Sequence, residues 1–354
     1  MQTGNISTAV WDRSFGHRVL TSEGSRLSRD SFWKDRSGAP SEVTRPVGGQ
    51  FDLTPEMIIA EAVNRSFLKY VNVHGLQETG PEDRRIPADT RISVSFLLGR
   101  DTTEEMLHDR MDRIVKFCRE SEIKITCADA ARSGAVLRDV LTVSAWTTFP
   151  VTGRIRTSVP DREQEMHVPE GYAVCFAGFT GDAGISVLSA ARKEHLKERF
   201  SSAFTEHALQ YGKKLLCRDL FTDLILQKQQ EEQCADAFAG RCQKIRTFPI
   251  GEGGIFAALW YFCRLWKTGV RIDPRRIPIH QETIEICEYL RIHPYQLYTC
   301  QAVLFAAPSD EIWPGAVRIG ETTGGSACIL EHGEEIRYLE KPQPDGLMLM
   351  NAGN

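Results

Sequence analysis

Three glycines and one carboxylate, Gly251-Glu252-Gly253-Gly254, stand directly ahead of the apolar run IFAALWYFC. Successive glycines let backbone N–H groups approach an anion closely, and the start of the following helix adds unsatisfied donors and a partial positive charge. That is the chemistry of a phosphate-binding turn, in which Glu252 would hold a metal ion or a ribose hydroxyl. The same four residues also make a tight strand-to-helix turn whose glycines permit close packing, because a short glycine cluster is a weak signal. The pattern alone leaves both readings open.

Other chemistry-bearing residues give less. His280 and His293 lie beside prolines or helix starts, where packing or capping outranks catalysis. No Ser or Cys sits in a nucleophile-elbow context, so triad chemistry is not indicated. Trp260 and Trp266 read as core. The ten cysteines are scattered and form no CxxC pair, so neither a zinc knuckle nor a thioredoxin-type site is expected. No catalytic residue and no metal site is assigned from the residues.

Bulk properties set the frame for those elements. The 354 residues allow two ordinary domains. A hydrophobic content of 42% with 25% charged residues is that of a globular protein. A formal net charge of -4 is weak for this length, so no basic field draws nucleic acid or an anionic membrane surface. No apolar run approaches the roughly 20 residues of a membrane-spanning helix. The first residues, MQTGNISTAVWDRSF, lack the charged head and apolar stretch of a signal peptide. A reduced cytoplasmic protein is the expectation.

Along the chain, an amphipathic stretch at Ile6–Leu20 leads into residues 22–50, rich in Ser, Gly, Pro and mixed charge, which read as irregular loop. Thr54 and Pro55 open a helix carrying Met57, Ile58, Ala62 and Val63 on one stripe. RISVSFLL is a strand, Thr102 and Glu105 have capping-box spacing for the next helix, and IKITCADA and DVLTVSAWTTF are two further strands. The polar piece 151–170 divides a first domain, 1–150, from a second, 171–354. There YAVCFAGF is a strand, Asp182–Tyr211 is helical, and LFTDLILQKQQEEQCADAFAG is helical with a solvated QKQQEEQ face. The helix after the glycine turn is apolar all round and therefore buried. Gly269 is placed to end it in the left-handed conformation. RIDPRRIPI is extended, HQETIEICEYLRI is helical, and AVLFAA, GAVRIGETT and ACILEHGEEIRYLE form terminal strands turning at Pro314-Gly315 and His332-Gly333.

The run GEGGIFAALW…GVRIDPRRIPIHQETIEICEYLRIHPY, with GAVRIGETT and the closing ILEHGEEIRYLEKPQPDGL, resembles the C-terminal domain of the aminoimidazole ribonucleotide (AIR) synthetase-related superfamily. The branch it is most similar to is that of the hydrogenase-maturation carbamoyl dehydratases and their relatives. The resemblance is strong over 251–295 and thin before residue 150. It implies a two-domain α/β (α+β) architecture: an N-terminal domain that pairs to build a barrel across a dimer interface, and a C-terminal layer of sheet and helices. It further implies ATP between the domains, Mg²⁺ held by aspartates, and activation of a carbonyl or amide oxygen by phosphorylation. The expected partner is a second copy of the chain or a paralogue.

On that resemblance the cofactor-binding positions are Gly251, Glu252, Gly253, Gly254, Asp182 and Asn64. The chain departs from the family's pattern at four motifs, three of them acidic. No Gly-x-Asp-Asp occurs in residues 22–50, and the family's Asn-Asp is Asn64-Arg65 here. Its His-Asp is Phe248-Pro249, and FAGFTGDAG lacks the usual lysine, leaving Asp182 as the comparable acid. Asp129 would be a surviving ligand or a capped turn. No cysteine follows Cys328, where the hydrogenase-maturation branch ends in one that carries the carbamoyl group. Magnesium needs hard oxygen ligands and backbone alone does not neutralise a triphosphate, so impaired or absent ATP chemistry is expected. An active ATP-dependent enzyme using Glu252, Asp182 and Asp129, and a non-catalytic scaffold or regulatory partner, are the alternatives.

Overall fold

The computed structural model describes residues 4–5, 41–74, 89–148, 167–231 and 244–352. Ile6–Leu20, the first part of the expected loop, most of the expected linker and the end of the QKQQEEQ run lie outside them. The chain divides into two compact units, one of residues 1–67 and 87–150 and one of 68–86 and 151–354.

The first unit is built on a five-stranded sheet in the order β1-β4-β3-β5-β2. Its strands are β1 (Gly4–Asn5), β2 (Ser41–Val47), β3 (Asp89–Leu98), β4 (Ile123–Arg132) and β5 (Asp139–Thr148). Residues 41–47 are therefore strand, not loop: β2 pairs antiparallel along its whole length with β5. Its apolar content is too small to announce a strand in sequence, and the register with β5 supplies the missing ladder. β3 alternates as its residues require, with Ile92, Val94, Phe96 and Leu98 buried. Each such side chain contributes about 1.5–3 kcal/mol relative to exposure. Among the described residues the edges of the sheet are β1 and β2.

β3 and β4 are parallel, so the chain must cross over between them. α2 (Glu104–Glu120) makes that crossing and follows α1 (Pro55–His74) in the chain. Thr54 Oγ1 accepts from Met57 N at the start of α1, with Pro55 in the first turn. The cap of α2 is Thr103, whose hydroxyl accepts from Met106 N, not Thr102. Thr102 instead donates its hydroxyl to Asp139, which outcompetes a capping role. Leu107, Met111, Ile114 and Cys118 form the buried stripe of α2 at helical spacing. Arg110 lies on the same stripe and is buried, which demands a partner. The partner is Asp139, paired with the Arg110 guanidinium and also accepting from Gly99 N at 2.6 Å and Thr102 Oγ1 at 2.5 Å.

The second unit holds a seven-stranded sheet ordered β12-β11-β8-β10-β6-β9-β7. Its strands are β6 (Ala173–Ala177), β7 (Arg246–Pro249), β8 (Gly269–Ile272), β9 (Val303–Ala307), β10 (Ala316–Thr323), β11 (Cys328–His332) and β12 (Glu335–Tyr338). β6 and β9 are buried at every residue, as the uninterrupted AVCFA and VLFAA imply. The helices are α3 (Asp182–Ala191), α4 (Lys193–Leu196), α5 (Ser202–Gln210), α6 (Cys217–Glu231), α7 (Gly254–Leu265), α8 (Gln281–Leu290) and α9 (Gly346–Ala352). Ile255, Leu259 and Phe262 of α7 join Val174, Val270, Leu304 and Ile319 of the sheet in one core. Within this unit Asn72, near the end of α1, exchanges hydrogen bonds with the backbone N–H and C=O of Thr247. No helix among the described residues is long and apolar enough to cross a membrane.

Two local expectations are corrected. The stretch Asp182–Tyr211 is not one helix but α3, α4 and α5, because Ser201 caps a new start by accepting from Phe204 N. Gly269 does not end α7. The left-handed residue there is Lys267 (φ 46°), and Gly269 opens β8, where a Cβ would lie 2.5 Å from Thr323 Oγ1. Close strand packing, not helix termination, needs the glycine.

Burial raises the Asp139 carboxyl, but the hydrogen bonds from Thr102, Gly99 and Arg110 together hold it below the ordinary carboxylate range. Its contribution to stability is therefore present above the ordinary value of 3.8 and is lost as pH falls through the lower folded value. Asp139→Ala strands a buried guanidinium and is expected to lower the unfolding free energy by about 3–5 kcal/mol. Urea unfolding of the variant measures it, and the double change Arg110→Met with Asp139→Leu should recover most of the loss.

Candidate functional site

β7 delivers Phe248 and Pro249, and the chain then turns through Ile250–Gly253 into α7. Gly253 and Gly254 both have positive φ, 77° and 60°, conformations that cost other residues about 1–2 kcal/mol each. Gly251 O accepts from Gly254 N at 3.1 Å, which closes the turn. Glu252 stands at its tip, half-buried. Phe248 packs against the core where the family resemblance leads one to look for an acid.

The concave side of this turn is filled by the chain itself. Gly253 N donates to Asp345 Oδ2 at 2.8 Å, and the other oxygen of that carboxylate accepts from Leu347 N at 2.8 Å. Asp345 is 2% exposed and leads into α9. A Cβ on Gly253 would lie 2.5 Å from Gln343 O, and one on Gly254 would lie 2.5 Å from Tyr295 O and 2.7 Å from Leu297 O. One donor at the start of α7, Gly253 N, of the kind that suits a phosphate, is thus met by an internal carboxylate. Sequence reasoning noticed the Pro-Asp segment as a family feature but did not connect it to Gly253. A buried acid one residue ahead of a helix is the only local signal.

Asp182 belongs to a second glycine turn, between β6 and α3. Its carboxylate accepts from Ala183 N at 2.6 Å, Cys300 N at 2.9 Å and Gln301 N at 3.2 Å. Gly181 N donates to Thr299 Oγ1 and Gly184 N to Tyr298 O. Thr299 N in turn reaches Gly251 O at 3.4 Å. Residues 297–301 therefore run between the two glycine turns and are hydrogen-bonded to both. The structure brings Asp182 and Gly251–Gly254 onto one segment, with the Asp182 carboxylate and Gly251 O turned toward it. Burial pushes the Asp182 carboxyl up to about 6, against the lowering effect of the three backbone donors.

In the first unit Asn64 is buried on α1, and beside it a carboxylate the sequence reading missed, Glu61, is also buried. Arg45 binds Glu61 through both carboxylate oxygens, at 2.8 and 3.3 Å, and Arg65 adds a contact of 2.5 Å. Arg65 thus neutralises the acid one turn before it. The signal was available: Glu and Arg spaced i, i+4 within an otherwise apolar helix. Asp129 is exposed in mid-β4 and is not in a turn. His280 is sandwiched between Phe179 and Tyr211, each ring centroid 3.8 Å away, and burial lowers its pKa. His293 packs on Phe256 and Tyr295, also lowered by burial. Trp266 is core, whereas Trp260 is half-buried beneath Arg264. Among the described residues no group of three or more His, Cys, Asp and Glu side chains is placed to hold a metal ion.

No protein-family model matches the chain, and no curated protein matches it in sequence. Solved structures do match. One described as hydrogenase maturation protein HypE is similar with a TM-score of 0.58 at 16% identity, over 95% of this chain and 97% of that one. HypE in complex with ATP gives 0.57 at 15% identity, over 89% and 88%. AaThiL complexed with AMPPCP and TMP gives 0.56 at 13% identity, over 89% and 88%. The chain has the fold of these proteins, the one that the resemblance of its sequence to the AIR synthetase-related superfamily implies.

Asp345→Ala leaves the N–H groups of Gly253 and Leu347 without their acceptor, at about 1–3 kcal/mol for each buried donor. Denaturant unfolding should register a loss of at least about 2 kcal/mol. An unchanged midpoint would mean that the turn does not depend on this carboxylate. Asp182 gives a pH signature of opposite sign to Asp139. Because its folded pKa is raised, the associated stability is full below the ordinary 3.8 and is lost as pH rises through about 6. Unfolding free energies measured across that interval should show this slope in the wild type and not in Asp182→Asn.

Proposed function

We propose that this protein is an AIR synthetase-related chain that keeps the fold of ATP-using relatives and the remnant of a nucleotide cleft but has lost efficient ATP chemistry. The observation that carries the reading is the hydrogen bond from Gly253 N to the buried Asp345 carboxylate, which places a negative charge where a phosphate would need the donor. Three others support it. Asp182 is spent on three backbone donors, Glu61 is neutralised by two arginines, and Phe248-Pro249 offers no ligand oxygen on a side chain. Mg²⁺–ATP brings a polyanion and a cation that needs several oxygen ligands. The residues at the glycine turn do not fit it, and no catalytic step is assigned.

In this reading the protein works by association, as a homodimer or with a paralogue, in the cytoplasm. The first unit's sheet supports that part: it ends on β2, whose outer edge has no strand partner among the described residues. An edge of this kind is a ready template for pairing with another chain. Among the described residues Cys118, Cys175, Cys263, Cys287 and Cys328 are free thiols, in keeping with a reducing compartment.

Calorimetric titration of the full chain with ATP, with and without magnesium, tests the central claim. No magnesium-dependent binding heat is expected, and Glu252→Ala should leave phosphate release at background, as in the wild type. Tight magnesium-dependent binding, with phosphate release that Glu252→Ala abolishes, would establish the active enzyme instead.

A further inference from the structure

An open pocket of about 480 Å³ lies in the second unit at the C-terminal end of α7. The 12 residues of that helix, about 18 Å at 1.5 Å each, separate it from the glycine turn. Three pieces of chain enclose it: the last turn of α7, the turn between β10 and β11, and the end of β12 with the residues after it. Hydrogen bonds fix their placement. Val270 N donates to Ala327 O at 2.9 Å, Leu339 N to Cys328 O at 2.9 Å, and Trp260 Nε1 to Glu340 O at 3.0 Å. The walls are therefore set before a ligand arrives, which removes part of the ordering cost of binding.

Cys263 and Cys328 are buried and supply an apolar floor. The exposed lining is rich in donors. Arg264 lies over the Trp260 ring, 4.3 Å from its centroid, which orients a guanidinium that forms no ion pair among the described residues. Lys267 Nζ and the hydroxyls of Ser326 and Tyr338 have no hydrogen-bond partner among those residues either. One acid, Glu340, shares the pocket, so its two cations leave a positive balance on a chain whose formal charge is -4.

The backbone at Lys267 is a second, independent observation. Its φ of 46° makes it one of three non-glycine residues with positive φ among the described residues. It holds the left-handed position after α7 that glycine favours, and Thr268 N closes the helix end onto Cys263 O at 3.1 Å. Glycine would make this turn without strain, and strain of this kind concentrates at ligand sites.

We propose that the pocket binds a small organic carboxylate with a flat apolar body of one or two rings. The carboxylate oxygens accept from Arg264, Lys267 and Ser326, and the ring body lies on the thiol floor beside Tyr338. A guanidinium fork matches a carboxylate through two parallel N–H···O bonds. A volume of about 480 Å³ falls within the roughly 300–1,000 Å³ of small-molecule sites. Two cations against one acid suit a monoanion.

2-Naphthoate is the probe, titrated calorimetrically into the full chain, with 2-naphthalenemethanol as its neutral counterpart. Saturable binding of the carboxylate is expected, about tenfold tighter than that of the alcohol and weakening as salt rises from about 0.05 to about 0.5 M. Arg264→Gln with Lys267→Gln, both at exposed positions, should weaken it by about tenfold. Lys267→Gly separates binding from folding: it relieves the left-handed strain, so the urea midpoint should hold or rise while 2-naphthoate affinity falls by about threefold. No saturable heat with 2-naphthoate, equal affinity for the alcohol, or undiminished affinity in either variant would each overturn the assignment.

Discussion

A carboxylate taken out of water must be met by several donors, and that requirement organises the second unit. Asp345 and Asp182 each collect backbone N–H groups, two and three respectively, one of each set from a glycine turn. Residues 297–301 and 343–345 are drawn in as a consequence, and the space that successive glycines open is closed by the chain's own backbone. A glycine turn ahead of a helix is thus an anion site whose anion is covalently part of the protein. At Gly253 the donor and the space beside it are met internally, by Asp345 and by the backbone of Gln343.

The first unit obeys the same rule with a different partner. Asp139 and Glu61 are buried acids, and arginines answer both. Arg110 and Asp139 join α2 to the start of β5, so the pair fixes the crossover between two parallel strands. Glu61 with Arg45 and Arg65 ties α1 to β2. Pairs of this type add little net stability compared with well-packed apolar residues, but breaking one is costly. Their effect is to fix registry.

Leu339 and Glu340, just beyond β12, continue into the segment that carries Gln343 and Asp345 to the glycine turn. One length of chain after β12 therefore bonds to Cys328 and Trp260 and supplies the acceptor for Gly253. Its conformation is held by hydrogen bonds to Cys328 O, Trp260 Nε1 and Gly253 N, spread over seven residues.

Composition and periodicity determined much of the architecture. Unbroken apolar runs gave β6 and β9, alternation gave β3, and the helical period of Met111, Ile114 and Cys118 gave α2, because burial of side chains at period two or near four is a local property. The glycine turn and its helix were legible for the same reason. Neighbours distant in sequence were not. Thr102 and Thr103 are equivalent as caps until Asp139 claims one of them, and Gly269 is a helix terminator until Thr323 crowds it. The decisive contact joins Gly253 to a carboxylate 92 residues away. Whether a glycine turn faces solvent or an internal acid is set by which distant segment folds against it, and no local pattern encodes that.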